Sequence, residues 1–517
     1  MTTTLSTTTT GVTGCVHGGR PTGFTATLAS TSDVPGLTVI RSCGCRTTAT
    51  DALRMSAFTS APALTETVCD PWRGVARRDP LSQTPVFYRQ TADGAVLVST
   101  AVEEVTGPDV RPSPPAVATL LMGHPLPSPL TPWEGVFRLP AGATLSRERD
   151  GRLRIQLDEL DWRTLLPPTV DRRKGTTALL HDALTAALAD APTDRVAVSG
   201  GPASSVLALI ADRTPDTPVP VHVHVDLPLL DRRRGLVQDE LPVPIEVTDG
   251  TPRWAGDRDG PVPPLPELCD PWPACLAGAA SAYGLNALLP PADRTTPVQR
   301  LLGMLTAEQI PAALWGKPWT AALRARPQPG ESPVASLGLG WLGPDAQAAL
   351  KTAQAGTGPA SHLLPTEPRD RRLHAVANAV TTMLDGRGLS RLDRPGVNHP
   401  PALVAFHPAV VGAALHRAAT GDPAGLAELL PGGWRGADPP TGGRDRLYAA
   451  DHVRHRLATD RDRAALLARV RGSGWVQVEP LTMVLSEPAA LLRNSWMLHR
   501  LHATVTAFPE LLTGVRS

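Results

Sequence analysis

The chain has 517 residues, of which 42% are hydrophobic, and its 50 basic side chains nearly balance its 49 acidic ones. This composition is typical of a globular protein and excludes a disordered chain. A net charge of +1 gives no electrostatic attraction to nucleic acid or anionic lipid, so we expect neither as a partner. The length predicts roughly two to four domains, and two is the working number.

The sequence also predicts the cellular location of the protein. It contains no run of the ~18 to 20 apolar residues that a membrane-spanning helix needs. Residues 1–10 lack the basic and apolar regions of a signal peptide, and six cysteines are too few for a disulfide scaffold. We therefore expect a cytoplasmic protein. The role of Cys43, Cys45 and Cys69 stays open, because their spacing is not the paired spacing of a zinc ribbon.

The first third of the chain is predicted to be a tail followed by a β-rich domain. Residues 1–35 are rich in Thr, Ser and Gly, so we expect a loose N-terminal tail. In the β-rich domain, residues 36–165, two strand-like runs flank an Asp-Gly turn at 93–94 and predict a hairpin. The strand-like segments are Pro85–Tyr88, Ala95–Ser99, Gly135–Leu145 and Leu153–Leu157.

After a linker at 166–175, the pattern changes to alternating helices and strands over residues 176–517. Such alternation is typical of a doubly wound α/β sheet, and the last part of the chain is mainly helical. The predicted strands are Arg195–Val198, Val219–Asp226, Pro244–Thr248 and Leu285–Leu289. The predicted helices are Thr176–Ala191, Ser204–Asp212, Ala346–Ala355, Arg371–Leu384, Pro408–Ala419, Ala449–Arg469 and Ser486–Val505.

One loop carries the clearest chemical signal. The predicted strand at Arg195–Val198 runs into Ser-Gly-Gly-Pro-Ala-Ser-Ser at 199–205 and then into a helix. Small residues let the backbone approach a phosphate closely, and the positive end of the following helix faces it. A Gly-Gly turn also occurs between strands and helices that bind no ligand. The loop is thus a candidate pyrophosphate site, and Asp226 ends the next predicted strand at the same sheet edge.

The loop resembles the S-G-G-x-D-S-S signature of the ATP pyrophosphatase enzymes, namely asparagine synthetase, the β-lactam synthetases and the lasso peptide cyclases. The likeness extends over roughly residues 65–510, and only the loop is specific. In the β-rich part, Phe87-Tyr88, the turn at 139–142 and Trp162 are similar to the amidotransferase-like front domain of this class. Residues 399–411 and 429–431 are similar to the late helical part of lasso cyclases (macrolactam synthetases).

The resemblance implies a fold and a reaction. The fold is an N-terminal-nucleophile (Ntn) type, glutaminase-like β domain, followed by a HUP-like ATP pyrophosphatase domain with a helical C-terminal part. In this class ATP activates a carboxylate as an acyl-adenylate, and an amine then forms the amide. The resemblance implies that the β and γ phosphates are bound by Ser199, Gly200, Gly201, Ser204 and Ser205, with Mg²⁺ as a second cofactor.

Three departures from the family pattern affect the catalytic motifs. Ala203 stands where the signature has an aspartate that helps to hold Mg²⁺, which leaves Mg²⁺ binding in doubt. The expected second Gly-Asp segment keeps one carboxylate, Asp293, and none of its glycines. The family's late lysine has no counterpart, since Lys351 is the last lysine. Asp226, Asp270 and Asp293 are the candidate catalytic replacements, and Asp226 and Asp293 the candidate metal ligands.

The front domain lacks the cysteine that glutamine-hydrolysing members expose at the mature N-terminus, because Thr2 follows Met1. Asparagine synthesis from glutamine is therefore disfavoured, and the lasso cyclase branch is preferred, because there the peptide itself supplies the amine. The first hypothesis is a ligase that adenylates an Asp or Glu side chain of a precursor peptide and closes a macrolactam. A peptide-recognition or protease protein would be a further partner. The alternative is an inactive pseudoenzyme of the same fold that binds a peptide or an active paralogue.

Overall fold

A computed structural model of the chain describes the elements that hold the fold together. The described residues are 16–17, 20–21, 25–27, 37–39, 53–56, 64, 66–70, 75–92, 96–99, 102–106, 110–121, 129–147, 153–157, 160–166, 175–191, 194–198, 201–213, 218–224, 235, 237–249, 279–282, 284–289, 342–349, 368–384, 402–422, 425–430, 453, 457, 459–486, 494, 498–499, 501–502 and 504–505. Among them, no helix is both long enough and apolar enough to cross a bilayer.

The N-terminal part of the described chain is built from β-sheet. Two five-stranded sheets have the orders β10-β8-β9-β3-β4 and β12-β11-β7-β6-β5, and a strand pair β1-β2 stands beside them. Their pairing is antiparallel, apart from β4 against β9. The strands are β1 Val16–His17, β2 Arg20–Pro21, β3 Thr25–Thr27, β4 Leu37–Val39, β5 Leu53–Ser56, β6 Glu66–Asp70, β7 Val75–Arg78, β8 Phe87–Gln90, β9 Val96–Ser99, β10 Val136–Arg138, β11 Ala143–Arg147 and β12 Leu153–Leu157.

The strand pairing of the predicted hairpin is confirmed, and two further predicted strand segments also pair with each other. Strand β8 pairs antiparallel with β9, and β11 pairs antiparallel with β12. The predicted strand at Gly135–Leu145 is two strands, because the backbone turns at Gly142, whose φ of 76° is in the left-handed region. Three short strands, β1 to β3, lie within the predicted N-terminal tail, and β3 pairs with β9. Most of the predicted linker lies outside the described residues.

A core between the two sheets explains the alternation in this region. Tyr88, Val98 and Leu145 are buried in one cluster, while their strand neighbours at Arg89, Leu97 and Ser146 are less buried. Successive side chains of a strand point to opposite faces, so one face of each sheet supplies this core. The outer face of β8 carries Phe87 into a second core with the short helices α1 and α2, which are Val102–Val105 and Pro114–Leu121.

The second half of the molecule is a parallel sheet with helices. Its strand order is β15-β14-β13-β16-β17, and all four pairings are parallel. The strands are β13 Arg195–Ala197, β14 Val219–His224, β15 Glu246–Asp249, β16 Ala280–Ser281 and β17 Ala402–Leu403. The helices of the remaining chain are α3 Thr176–Asp190, α4 Pro202–Ala211, α5 Leu285–Leu288, α6 Pro368–Thr382, α7 Pro408–Thr420, α8 Asp460–Val470 and α9 Val478–Ser486. The chain is therefore a mixed α/β protein with antiparallel and parallel sheets.

One predicted strand is wrong. Residues 285–288 form the helix α5, and the strand of this region is β16, immediately before it. Gly284, with a φ of 87°, turns the chain between them. A short apolar run is compatible with a buried helix as well as with a strand, so periodicity could not separate the two. The sheet also gains β17, which the sequence did not predict because its two residues are too few for a pattern.

The core of the α/β part lies between this sheet and the helices α3, α4 and α7. Helix α4 is buried along nearly its whole length, since only Leu209 and Pro202 among its residues are more than slightly exposed. Pro202 stands at the first turn of α4, where a missing N–H and a fixed φ favour helix initiation. The sheet face and these helices together fix the position of the chain that leaves β13.

The C-terminal helices α8 and α9 belong to a different core. Leu466 of α8 and Leu481 of α9 are buried in a cluster with Phe87, Val102 and Val117 of the front part. Residues 344–349 are helical as well and add Ala346 to this cluster. The C-terminal helical segment therefore packs on the outer face of a front sheet.

Candidate functional site

The candidate site lies where the order of the parallel sheet reverses. The chain passes from β13 to β14 on one side, and β16 joins β13 on the other. In open α/β sheets, ligands bind in the crevice outside the carboxyl ends of the strands at such a switch point. The loop at 199–205 leaves β13 at this place. Within it, Ser199 and Gly200 lie outside the described residues, whereas the stretch from Gly201 onward is described.

Gly201 is the N-cap of α4. Its φ of −80° and ψ of 160° are extended, and its carbonyl oxygen accepts the first hydrogen bond of the helix, from the Ser205 N–H at 3.0 Å. A helix N-terminus normally offers four N–H groups to a ligand. Pro202 removes one of them, because proline has no N–H. The positive end of α4 is thus directed at the switch point, but with one donor fewer.

The two serine hydroxyls of the loop are engaged within the loop. Ser204 Oγ donates to the Gly201 carbonyl at 3.1 Å, and Ser205 Oγ donates to the same carbonyl at 2.8 Å. Both side chains are buried. In this arrangement the hydroxyl protons are directed at the backbone, and only oxygen lone pairs face elsewhere. Donation to a phosphate would require each hydroxyl to rotate away from Gly201.

The position of the family aspartate is apolar here and faces inward. Ala203 is 4% exposed and belongs to the core of the α/β part. Mg²⁺ prefers carboxylate and phosphate oxygens, and position 203 supplies none. In the part of the chain that the structure describes, no group of three or more His, Cys, Asp or Glu side chains lies close enough to hold a metal ion. Asp226, Asp270 and Asp293 lie outside that part, so the metal site stays a prediction.

His222 is a polar side chain that the structure adds to this region. It is fully buried on β14, and its Nδ1 atom lies 2.8 Å from the carbonyl oxygen of Val198, the residue that precedes the loop. A carbonyl only accepts, so Nδ1 carries the proton. From the sequence alone, the alternation over Val219–Asp226 puts His222 and His224 on one face of a strand and favours an exposed or core-edge position, which the burial of His222 corrects. Strand alternation shows which residues share a face of the sheet, but not whether that face is covered.

Strand β16 contributes a second buried hydroxyl to the switch point. Ser281 is 2% exposed and ends β16, which pairs with β13 through Ala280 and Val196. Gly201 follows β13, His222 lies in the second half of β14 and Ser281 ends β16, so the three residues lie on or after three adjacent strands. Their backbone, imidazole and hydroxyl groups can form hydrogen bonds with a phosphate or another polar ligand.

A cavity of about 270 Å³ lies at the opposite end of α4. It is lined by Leu209, Ile210, Arg213, His181, Glu240, Leu429 and Leu430. At 1.5 Å per residue, this part of α4 is about 14 Å from Gly201 along the helix axis. The cavity is therefore distinct from the candidate site at the switch point.

Comparison with known proteins adds no relative to this description. No protein-family model matches the chain, and no curated protein matches it significantly.

Proposed function

We propose that the chain is an ATP-dependent amide-bond-forming enzyme of the asparagine synthetase class, most like a lasso peptide cyclase. It would adenylate an Asp or Glu side chain of a precursor peptide and close a macrolactam. One observation carries the proposal: Gly201 begins the helix that follows β13 at the switch point of a parallel sheet. The resemblance of residues 199–205 to the ATP pyrophosphatase signature is the reason to expect a phosphate there. The finer assignment of an Ntn-type front domain and a HUP-like domain belongs to the same proposal.

In such a reaction the described residues of the site would bind the phosphates of ATP. The backbone at Gly201 admits a phosphate closely, because no Cβ occupies the space. The N-terminus of α4 stabilises the negative charge of the leaving pyrophosphate. Ser204 and Ser205 would donate their hydroxyl protons to it after rotating away from the Gly201 carbonyl. ATP, bound with Mg²⁺, supplies the activated phosphorus that the peptide carboxylate attacks, with release of pyrophosphate and then, on amine attack, of AMP.

A second function is supported by the same loop. In a pseudoenzyme the sheet and the loop are retained, while the protein groups that would bind phosphate and metal are lost. Pro202 removes a phosphate-binding N–H, Ala203 buries a methyl group where a carboxylate is expected, and both serine hydroxyls donate to Gly201. These features favour a protein that binds a peptide or an active paralogue without chemistry.

Calorimetry with ATP, with and without Mg²⁺, on the full chain tests the nucleotide binding that the ligase proposal requires. Gly201→Trp places an indole in the turn and should weaken ATP binding at least tenfold. The matched control is Gly175→Trp, since Gly175 is also an extended N-cap and no atom lies within 4 Å of its Cβ position. Unchanged ATP binding in Gly201→Trp, or no ATP binding by the wild type, would overturn the ligase proposal.

An activity assay then distinguishes the ligase from the pseudoenzyme. The wild type is incubated with Mg²⁺, ATP and a panel of peptides that carry a free N-terminal amine and an internal Asp or Glu. A ligase releases AMP and pyrophosphate, and the product peptide loses the mass of one water. ATP binding that is unchanged by Mg²⁺, together with no AMP release from any peptide, favours the pseudoenzyme.

A further inference from the structure

The segment that joins β7 to β8 in the front part reaches into the α/β part. Leu81 of this segment is fully buried and belongs to the core that contains the helices α3, α4 and α7. Its N–H donates to the carbonyl of Leu64 at 2.8 Å, which fixes the segment to the front part as well. Residues 78–83 therefore belong to both halves of the molecule, and we refer to them as the clamp segment.

Gln83 makes the most specific of these contacts. Its Nε2 atom donates to the carbonyl oxygen of Leu403 at 3.1 Å, and its Oε1 atom accepts from the N–H of Leu403 at 3.0 Å. The side-chain amide thus satisfies both backbone groups of one residue, as a neighbouring strand would. Leu403 lies on β17, which is one of the two edge strands of the parallel sheet among the described residues.

Arg78 makes a second contact across the same boundary. Its side chain is fully buried, and Nη2 donates to the carbonyl of Leu384 at 2.8 Å, just after the end of α6. The same guanidinium donates to the carbonyls of Ser82 and Leu139 within the front part. Burying a charge costs free energy unless the charge is hydrogen bonded, and the three carbonyl acceptors offset that cost for Arg78. Loss of these hydrogen bonds would therefore destabilise the fold.

The two contacts reach two different elements of the α/β part. Arg78 contacts Leu384 at the end of α6, and Gln83 contacts Leu403 on β17. Without the clamp segment, the backbone groups at Leu403 would be buried without a strand to pair with, which costs more than a hydrogen bond gains.

We infer that the front β part completes the parallel sheet: the clamp segment replaces a further strand at the edge of β17 and anchors the end of α6. It follows that the two halves fold as one cooperative unit. The inference holds whether the chain is a ligase or a pseudoenzyme.

Hydrogen exchange of the full chain, followed by mass spectrometry, tests the contact at Gln83. In Gln83→Leu, peptides that cover residues 402–406 should exchange roughly tenfold faster than in the wild type. The control is Gln90→Leu, because Gln90 is an exposed glutamine on β8 of the same part. If Gln83→Leu does not fold, Gln83→Asn shortens the side chain by one methylene and gives a milder test. Exchange at 402–406 equal to that of the wild type in the folded variant would overturn the inference.

Urea unfolding, read by the same exchange method, tests cooperativity. Peptides from β7 to β9 and peptides from β17 and α7 should lose protection at the same urea concentration in the wild type. In Arg78→Met, both sets should shift together to lower urea. A wild type in which the front part unfolds while β17 stays protected would contradict one cooperative unit.

Discussion

The Nε2 atom of His407 lies 3.3 Å from Oδ2 of Asp190, and each side chain is less than a tenth exposed. The Nδ1 atom of the same ring accepts from the N–H of Ala409 at 3.2 Å and so caps the N-terminus of α7. Nδ1 must therefore be unprotonated, and the ring proton is on Nε2, toward the carboxylate. One neutral histidine thus joins the last residue of α3 to the first turn of α7.

This arrangement predicts that acid destabilises the protein. Burial lowers the pKa of His407 below 6.5, and the nearby Asp190 carboxylate opposes that effect only in part. Because the unfolded chain binds the proton more readily, stability is complete above about pH 6.5 and falls as the pH drops below it. Urea unfolding at pH 8.0, 6.5 and 5.5 measures the decline, which is at most about 1.4 kcal/mol per pH unit for one proton.

Carboxylates elsewhere also titrate in acid, so a variant must isolate the contribution of His407. In His407→Asn, the decline between pH 6.5 and 5.5 should be smaller than in the wild type. His374→Asn is the matched control, because His374 is exposed on α6. An identical decline in wild type and His407→Asn would show that the ring is not held neutral at the α7 cap.

The cap itself predicts an order of stability among His407 variants at pH 8. His407→Ala removes the acceptor for Ala409 and leaves the buried Asp190 carboxylate without its ring partner. We expect a loss of about 2 to 4 kcal/mol in the free energy of unfolding. His407→Asn should lose less, because an asparagine side chain is a good N-cap acceptor. Equal losses in the two variants, measured by urea unfolding, would contradict the capping role.

The elements that the sequence predicted well are those whose pattern is local. Helix α7 was expected at Pro408–Ala419 and lies at Pro408–Thr420, since Pro408 starts it and Gly421, in the left-handed region, ends it. Strand β12 has the predicted bounds of Leu153–Leu157. In both, one stripe or one face of apolar side chains is bounded by turn-forming residues, and such a pattern needs no information from distant parts of the chain.

Several features that the sequence missed depend on contacts between distant residues. Gln83 and Leu403 are 320 positions apart, and neither belongs to a motif. His407 was part of a segment noted for its resemblance to lasso cyclases, but its pairing with Asp190 required the packing of α7 on α3. At the candidate site, the pattern gave the position of Gly201 after a strand, while the rotation of the Ser204 and Ser205 hydroxyls toward that glycine was beyond it.

Tyr88 should ionise at a pH well above that of a solvent-exposed tyrosine. Burial in the front sandwich raises the pKa of Tyr88 to about 12, and its ring stacks on Phe137 with centroids 5.5 Å apart. Since the unfolded value is about 10, the neutral phenol stabilises the fold below pH 10, and that contribution is lost as the pH rises toward 12. Absorbance at 295 nm should show one late step that Tyr88→Phe removes. If the absorbance of the native protein rises over the same pH range as that of the urea-unfolded chain, Tyr88 is not buried.

Gly284 is expected to tolerate no side chain. Its φ of 87° is strained for any L-residue, and a Cβ there would lie 3.2 Å from Ala405 Cβ and 3.2 Å from Met383 Sδ. Gly284→Ala should therefore lower the free energy of unfolding by about 1 to 2 kcal/mol. Gly235→Ala is the control, because a Cβ at Gly235 meets no atom within 4 Å. Equal urea midpoints for the two variants would mean that the turn from β16 into α5 does not need glycine. Gly284 would then not explain why the chain forms α5 where the sequence predicted a strand.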